Sequence, residues 1–173
     1  MHYFHQVDDP YSHLAAQLCG PLAARYRVDL VPWIVPPPDD EATPERARLR
    51  AYALRDADTL ARRFRLDYPQ LPQYPAPERI AEAQAILVGA IRNGSFANVA
   101  PTVGSALWRG NDKSLSDQRG LANAARDEVE RALADGEALR RRLGHYFSAM
   151  FYFEGEWYWG IDRLHHLETR LAA

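Results

Sequence analysis

Residues able to do chemistry crowd into one short stretch, "VDDPYSH", Val7 to His13. Asp8 and Asp9 are carboxylates, Ser12 is a hydroxyl donor, and Tyr11 and His13 supply a phenol and an imidazole. A carboxylate beside a hydroxyl can act as a general base while the hydroxyl donates to a ligand sulfur or carbonyl. The same residues also spell an ordinary helix start, with Asp9 as N-cap and Pro10 at the first helical position. Both readings stand at this level. Tyr11 reads as a core or cleft-wall aromatic, or as a phenol facing a ligand. His13 reads as a satisfied, half-buried histidine, or as a group titrating near neutral pH beside Asp9. A second pair, Asp162-Arg163, opens the last helix. It reads as a cap with a surface ion pair, or as a guanidinium that grips a ligand carboxylate bidentately.

Other reactive types give less. His165 and His166 are adjacent, so they point about 100° apart on a helix and share no metal site. No metal-ligand spacing appears elsewhere. Cys19 is the single cysteine, which excludes an internal disulfide, a Cys-X-X-Cys pair and a cysteine-built zinc site. It reads as a small buried hydrophobe. The run Arg140-Arg141-Arg142 reads as a solvated helix face.

The elements that must position these groups are legible in outline. "HYFHQV", residues 2–7, reads as a strand. A helix follows from Pro10, with Tyr11, Ala15, Leu18, Leu22 and Tyr26 on one face and a kink expected at Pro21. "VDLVPWIV", 28–35, reads as a buried strand weakened by Pro32. Helices are predicted over 45–65, 78–93 and 96–108, the last interrupted near Pro101. One long charged helical stretch is predicted over 117–142, bent at Gly120 or Gly136. "AMFYFEGEWYWG", 149–160, reads as a hairpin turning at Glu154-Gly155. Trp157, Tyr158 and Trp159 alternate across its second strand, one face to pack and the other to mark an interface or a cleft wall. A final amphipathic helix spans 161–171.

The 173 residues suffice for one domain with a real core, and 47% hydrophobic content is globular. A formal net charge of −2 gives no bulk attraction to nucleic acid or an anionic membrane. No signal-peptide pattern and no membrane-spanning apolar run appear, so the expectation is a cytoplasmic protein. Lys occurs once, at Lys113, beside abundant Arg, which reads as a bacterial coding bias. The first strand starts near residue 1, which leaves a preceding domain open.

The order β-α-β, helices, hairpin, helix calls for a mixed sheet with helices on its faces. It resembles the thioredoxin fold with a helical insertion. "YFHQVDDPYSHLA", "RAYALRDADTLARRFRLDYP", "ALWRGNDKSLSD" and above all "FYFEGEWYWGIDRLHHLE" resemble the kappa-class glutathione transferase and 2-hydroxychromene-2-carboxylate isomerase branch of the DsbA-like proteins. The resemblance implies one α/β thioredoxin-like domain over 1–173. Residues 1–35 and 143–173 would form the thioredoxin parts, and 36–142 an all-helical insertion. It implies a glutathione-dependent isomerase or transferase of small conjugated substrates. Ser12 would hold the sulfur, Asp9 would stand where the family's first serine stands, and Tyr11 would line the cleft. Asp162 and Arg163 would clamp glutathione, and the loop at Ala149-Met150 would present backbone to it. Ala149 stands where the family has its cis-proline, and a non-proline cis bond costs about 2.5–4 kcal/mol, so a trans bond is expected. Asp8 is one extra residue. The alternative is a thioredoxin-fold scaffold that binds a ligand or partner without catalysis. Partners are expected to be small molecules, with a homodimer left open.

Overall fold

Tyr3 and His5 alternate with Phe4 along the first strand, so the strand must bury both faces. The computed structural model, which describes residues 1–173, satisfies this with helices on both sides of a four-stranded sheet. Strand β1 (His2–His5) leads into helix α1 (Pro10–Tyr26) and then strand β2 (Val31–Ile34). Five helices follow: α2 (Arg46–Phe64), α3 (Pro77–Arg92), α4 (Phe96–Arg109), α5 (Asp112–Arg119) and α6 (Arg126–Arg142). Strands β3 (Met150–Phe153) and β4 (Glu156–Trp159) and helix α7 (Leu164–Leu171) close the chain. The sheet order is β2-β1-β3-β4. β2 runs parallel to β1, and the hairpin is antiparallel to it. This is the thioredoxin-like arrangement with helices inserted between β2 and β3.

One sheet face carries Tyr3, Phe151 and Tyr158 into the main core with α1, α3, α4 and α7. The other carries Phe4, Met150, Trp33 and Trp157 against Leu139 and Leu143 at the end of α6. α6 approaches β2 closely at Gly136, where an added Cβ would lie 2.3 Å from Ile34 O. α1 is buried on more sides than a single stripe: Ser12, His13, Leu14, Ala16 and Cys19 are enclosed along with Ala15 and Leu22. It runs unbroken through Pro21.

Four expectations change. β2 is an edge strand shorter than 28–35, and at an edge Pro32 costs little, because one side needs no ladder donor. α4 runs continuously through Pro101, near its start, held along its length by α1 and α3. The charged stretch 117–142 is two helices. α5 ends at Gly120, and α6 begins afresh where Glu128 accepts from Ala125 N at 2.8 Å. Arg140 is fully buried, whereas Arg141 and Arg142 are exposed. The hairpin turns at Glu154 (φ 47°) and Gly155 (φ 92°), the positive-φ pair a two-residue turn with right-handed twist needs. No helix is long and apolar enough to cross a membrane.

Candidate active site

The start of α1 is built on Asp9. Its backbone is extended (φ −102°, ψ 120°), which turns the carboxylate back over the free N–H groups of the first turn. Oδ1 accepts from Tyr11 N at 3.3 Å, and Oδ2 from Ser12 N at 3.0 Å. Two hydroxyls add to Oδ2: Ser12 Oγ at 2.8 Å and Ser148 Oγ at 3.0 Å. Burial pushes the carboxyl up to about 6, against the hydrogen bonds from Ser12, Ser148 and the backbone, which pull it down. Asp9 is therefore both the helix cap and a carboxyl poised near neutral pH.

Ser12 is the joint beneath it. Its hydroxyl donates to Asp9 and accepts from Gln6 N at 3.2 Å and Ala149 N at 3.1 Å, so one side chain ties β1, α1 and the loop before β3. Its carbonyl accepts from Tyr3 Oη at 2.8 Å. The one hydroxyl proton of Tyr3 is thus committed, and His5 Nδ1, 3.1 Å away, is the donor in their contact. Burial lowers His5 to about 3, so it is neutral at physiological pH.

The facing loop is held from behind. Arg140 is enclosed in protein and ion-paired with Glu137. It donates to Phe147 O at 3.2 Å and Pro36 O at 3.1 Å, which links the loops after β2 and before β3. The loop then delivers Ser148 to Asp9. Ala149 follows a trans bond, as expected, and adopts a left-handed φ of 54°. Outside glycine such a conformation costs about 1–2 kcal/mol, and here the Ala149 N–H bond to Ser12 holds it.

A cleft opens above this corner. Its floor is Gln6, Asp8, Asp9, Pro10 and Tyr11. Phe147, Ser148 and Trp159 form one wall, with Phe147 and Trp159 stacked 5.1 Å apart and 3° from parallel. The opposite wall is α2, through Arg46, Leu49, Arg50 and Ala53 at helical spacing. Tyr74, Pro38 and Thr43 complete the lining. The Tyr11 hydroxyl donates to Asp56 Oδ2 at 2.9 Å. Burial and that carboxylate hold the phenol far above its usual range, so it stays protonated.

The sequence-predicted residues divide. Asp9, Tyr11 and Ser12 come together, but Ser12 lies buried below the cleft with its hydroxyl committed to three partners. Ala149 and Met150 are buried and lie behind Ser148. Asp162 lines a separate groove with Leu18, Arg25 and His165, and Arg163 is exposed at the start of α7. His13 differs from both of its readings. It is fully buried, lowered by burial to about 4, and neither ring nitrogen has a partner. Cys19 is buried, and burial pushes its thiol well up. Of the closing aromatics, Tyr158 packs in the core and Trp159 is a cleft wall. Sequence reading missed Arg46, Arg50, Tyr74 and Ser148. The arginines had a signal, since 46, 50, 53 and 57 extend the stripe of buried alanines on α2. Tyr74, in a proline-rich linker, had none.

The fold and corner define a thioredoxin-like α/β protein whose α1 terminus carries a carboxylate in a cleft. The chain is similar over 99% of its length to a solved structure of a 2-hydroxychromene-2-carboxylate isomerase, covering 93% of that chain at a TM-score of 0.65 and 16% identity. At that identity the likeness is one of fold. No family model matches the chain, and no curated protein sequence matches it.

Proposed function

We propose that the protein is an isomerase or transferase of small conjugated, aromatic molecules that uses glutathione as its thiol, with Asp9 as general base. The observation that carries this reading is the position of the Asp9 carboxylate, capping α1 and lining an aromatic cleft, where burial raises its pKa. Ionised Asp9 accepts the thiol proton as sulfur adds to the conjugated carbon, and the electron pair moves to the carbonyl oxygen as an enolate. The former double bond rotates. The enolate then re-forms the carbonyl, the carbon–sulfur bond breaks, and Asp9 returns the proton to sulfur. In a transfer the enolate instead takes the proton from Asp9 at its α-carbon, the carbonyl re-forms, and the thioether adduct is released with Asp9 ionised again. Arg46, on the α2 wall, offsets the charge that develops on the acceptor. Ser12 and Ser148 aim the Asp9 oxygens, and Tyr11, Phe147 and Trp159 pack the flat substrate. The likeness in fold to one 2-hydroxychromene-2-carboxylate isomerase structure supports the choice of chemistry.

The test is glutathione titration by calorimetry, paired with turnover of a conjugated aryl ketone. Asp9→Asn is expected to keep glutathione binding and lose about a hundredfold or more in turnover. Unchanged turnover would remove Asp9 as the base. A second reading, a ligand-binding scaffold without catalysis, is favoured by the saturation of Asp9 Oδ2 with three donors. An absence of heat at millimolar glutathione would select it.

A further inference from the structure

Two guanidiniums stand one turn apart on the α2 wall, and they are held differently. Arg46 is engaged: Nε and Nη2 donate to Asp40 Oδ1 at 2.9 and 2.7 Å, and Nη2 also donates to Pro38 O at 2.7 Å. The Arg50 guanidinium donates no hydrogen bond to a protein group. Its central carbon lies 3.6 Å from the centroid of the Tyr74 ring. Asp8, its nearest carboxylate, stands at 3.6 Å, a loose ion pair beyond hydrogen-bond distance. Tyr74 donates to Arg50 O at 3.2 Å, so ring and arginine are held in register. The Arg50 side chain is 40% exposed within the cleft, whereas that of Asp8 is 11% exposed. A planar fork laid on an aromatic ring with its N–H edge free suits bidentate capture of a flat anion.

We infer that Arg50 is the receptor for a ligand carboxylate, and that Asp8 is a built-in competitor which gives way when the ligand binds. The inference deepens the proposed function and rests on that reading's choice of this cleft as the ligand site. Displacement does not strand Asp8, because Gln6 Nε2 already donates to its Oδ1 at 3.0 Å. Arg50 keeps its stacking on Tyr74 and gains two charge-assisted hydrogen bonds that Asp8 does not make. Tyr11, Phe147 and Trp159 line the same cleft, so an aromatic ring attached to the carboxylate has surfaces to pack on. The carboxylate belongs either to such a substrate or to the thiol partner, and the flat anion is common to both.

The experiment is calorimetric titration of salicylate, salicylamide and glutathione into the wild-type protein, Arg50→Gln and Asp8→Asn, with thermal unfolding to verify that each variant folds. At least one carboxylate probe is expected to weaken about tenfold in Arg50→Gln and to tighten severalfold in Asp8→Asn. Salicylamide binding is expected to be unmoved by either change. A response from salicylate assigns the carboxylate to an aromatic substrate, and a response from glutathione alone assigns it to the thiol partner. Equal affinities in the wild type and Arg50→Gln would overturn the inference. So would an absence of carboxylate binding to both the wild type and Asp8→Asn at millimolar probe. Binding without turnover removes the enzymatic reading and leaves this one standing. Turnover that ignores Arg50→Gln does the reverse.

Discussion

Ser12 and His13 are consecutive on α1 and both are buried, but their surroundings are opposites. The Ser12 hydroxyl makes three hydrogen bonds, and the carboxylate it serves takes four. His13 stacks loosely on Tyr68 and is crowded by Gly104, where an added Cβ would lie 2.2 Å from its Nδ1; its ring nitrogens have no partner. Tyr68 Oη and Trp108 Nε1, in the same aromatic group, are likewise buried without partners. One side of the helix holds a charge by satisfying it, and the other packs around a neutral ring with the Asp67–Arg109 ion pair nearby. The contrast shows why Asp9 and His13, both displaced by burial, differ in meaning. Desolvation raises the acid to a value where it can exchange protons near neutrality, and lowers the base to one where it cannot.

The comparison breaks most severely from behind the corner. Arg140→Ala removes the buried guanidinium that joins the two cleft loops, leaving two carbonyls without that donor and Glu137 with Arg141 as its remaining partner. A loss of about 3–5 kcal/mol is expected by denaturant unfolding. On the histidine side, Gly104→Ala forces a methyl into the His13 ring and is expected to cost about 1–3 kcal/mol.

A matched pair sharpens the contrast. Ser12→Ala leaves the Gln6 and Ala149 N–H groups buried and unpaired, and is expected to cost about 1–3 kcal/mol. His13→Leu removes polar atoms that have no partners, and its Tm at pH 7 is expected to match or exceed that of the parent. Equal losses in the two variants would erase the distinction.

The smallest net effect is in pH dependence, where two contributions oppose each other. The unfolded chain binds a proton at His13 near 6.5, but the folded chain does so only near 4, so this group's contribution is complete above 6.5 and is lost as pH falls toward 4. Asp9 works the other way. The native state holds its proton up to about 6 while the unfolded chain releases it near 3.8, so stability falls as pH rises between those values, by about 3 kcal/mol in all. The two partly cancel between pH 4 and 6.5. His13→Leu is therefore expected to flatten the acid limb of a Tm-against-pH curve, and Asp9→Asn to steepen it.

The local features of this contrast were legible in the sequence. Asp9, Pro10 and the hairpin at Glu154-Gly155 announce themselves because a cap and a tight turn depend on neighbouring residues. The β-α-β order and its closing hairpin supplied the fold class. What stayed hidden depends on contacts far along the chain. His13 is shut in by Gly104 of α4, and Arg140 sits in a run of arginines that differ only in which one faces the sheet. The break between α5 and α6 falls within one continuous charged pattern, so no change of period marks it. The Arg50–Tyr74 pair joins α2 to a linker without periodicity.

The proposed chemistry requires Asp9 as the ionisable centre of the cleft. The most direct measurement is an NMR titration of its side-chain carboxyl carbon, assigned by comparison with Asp9→Asn. A midpoint near 6 is predicted, with the ionised form prevailing at neutral pH. A midpoint at or below about 4, the range of a solvated aspartate, would contradict it and leave Asp9 a helix cap alone.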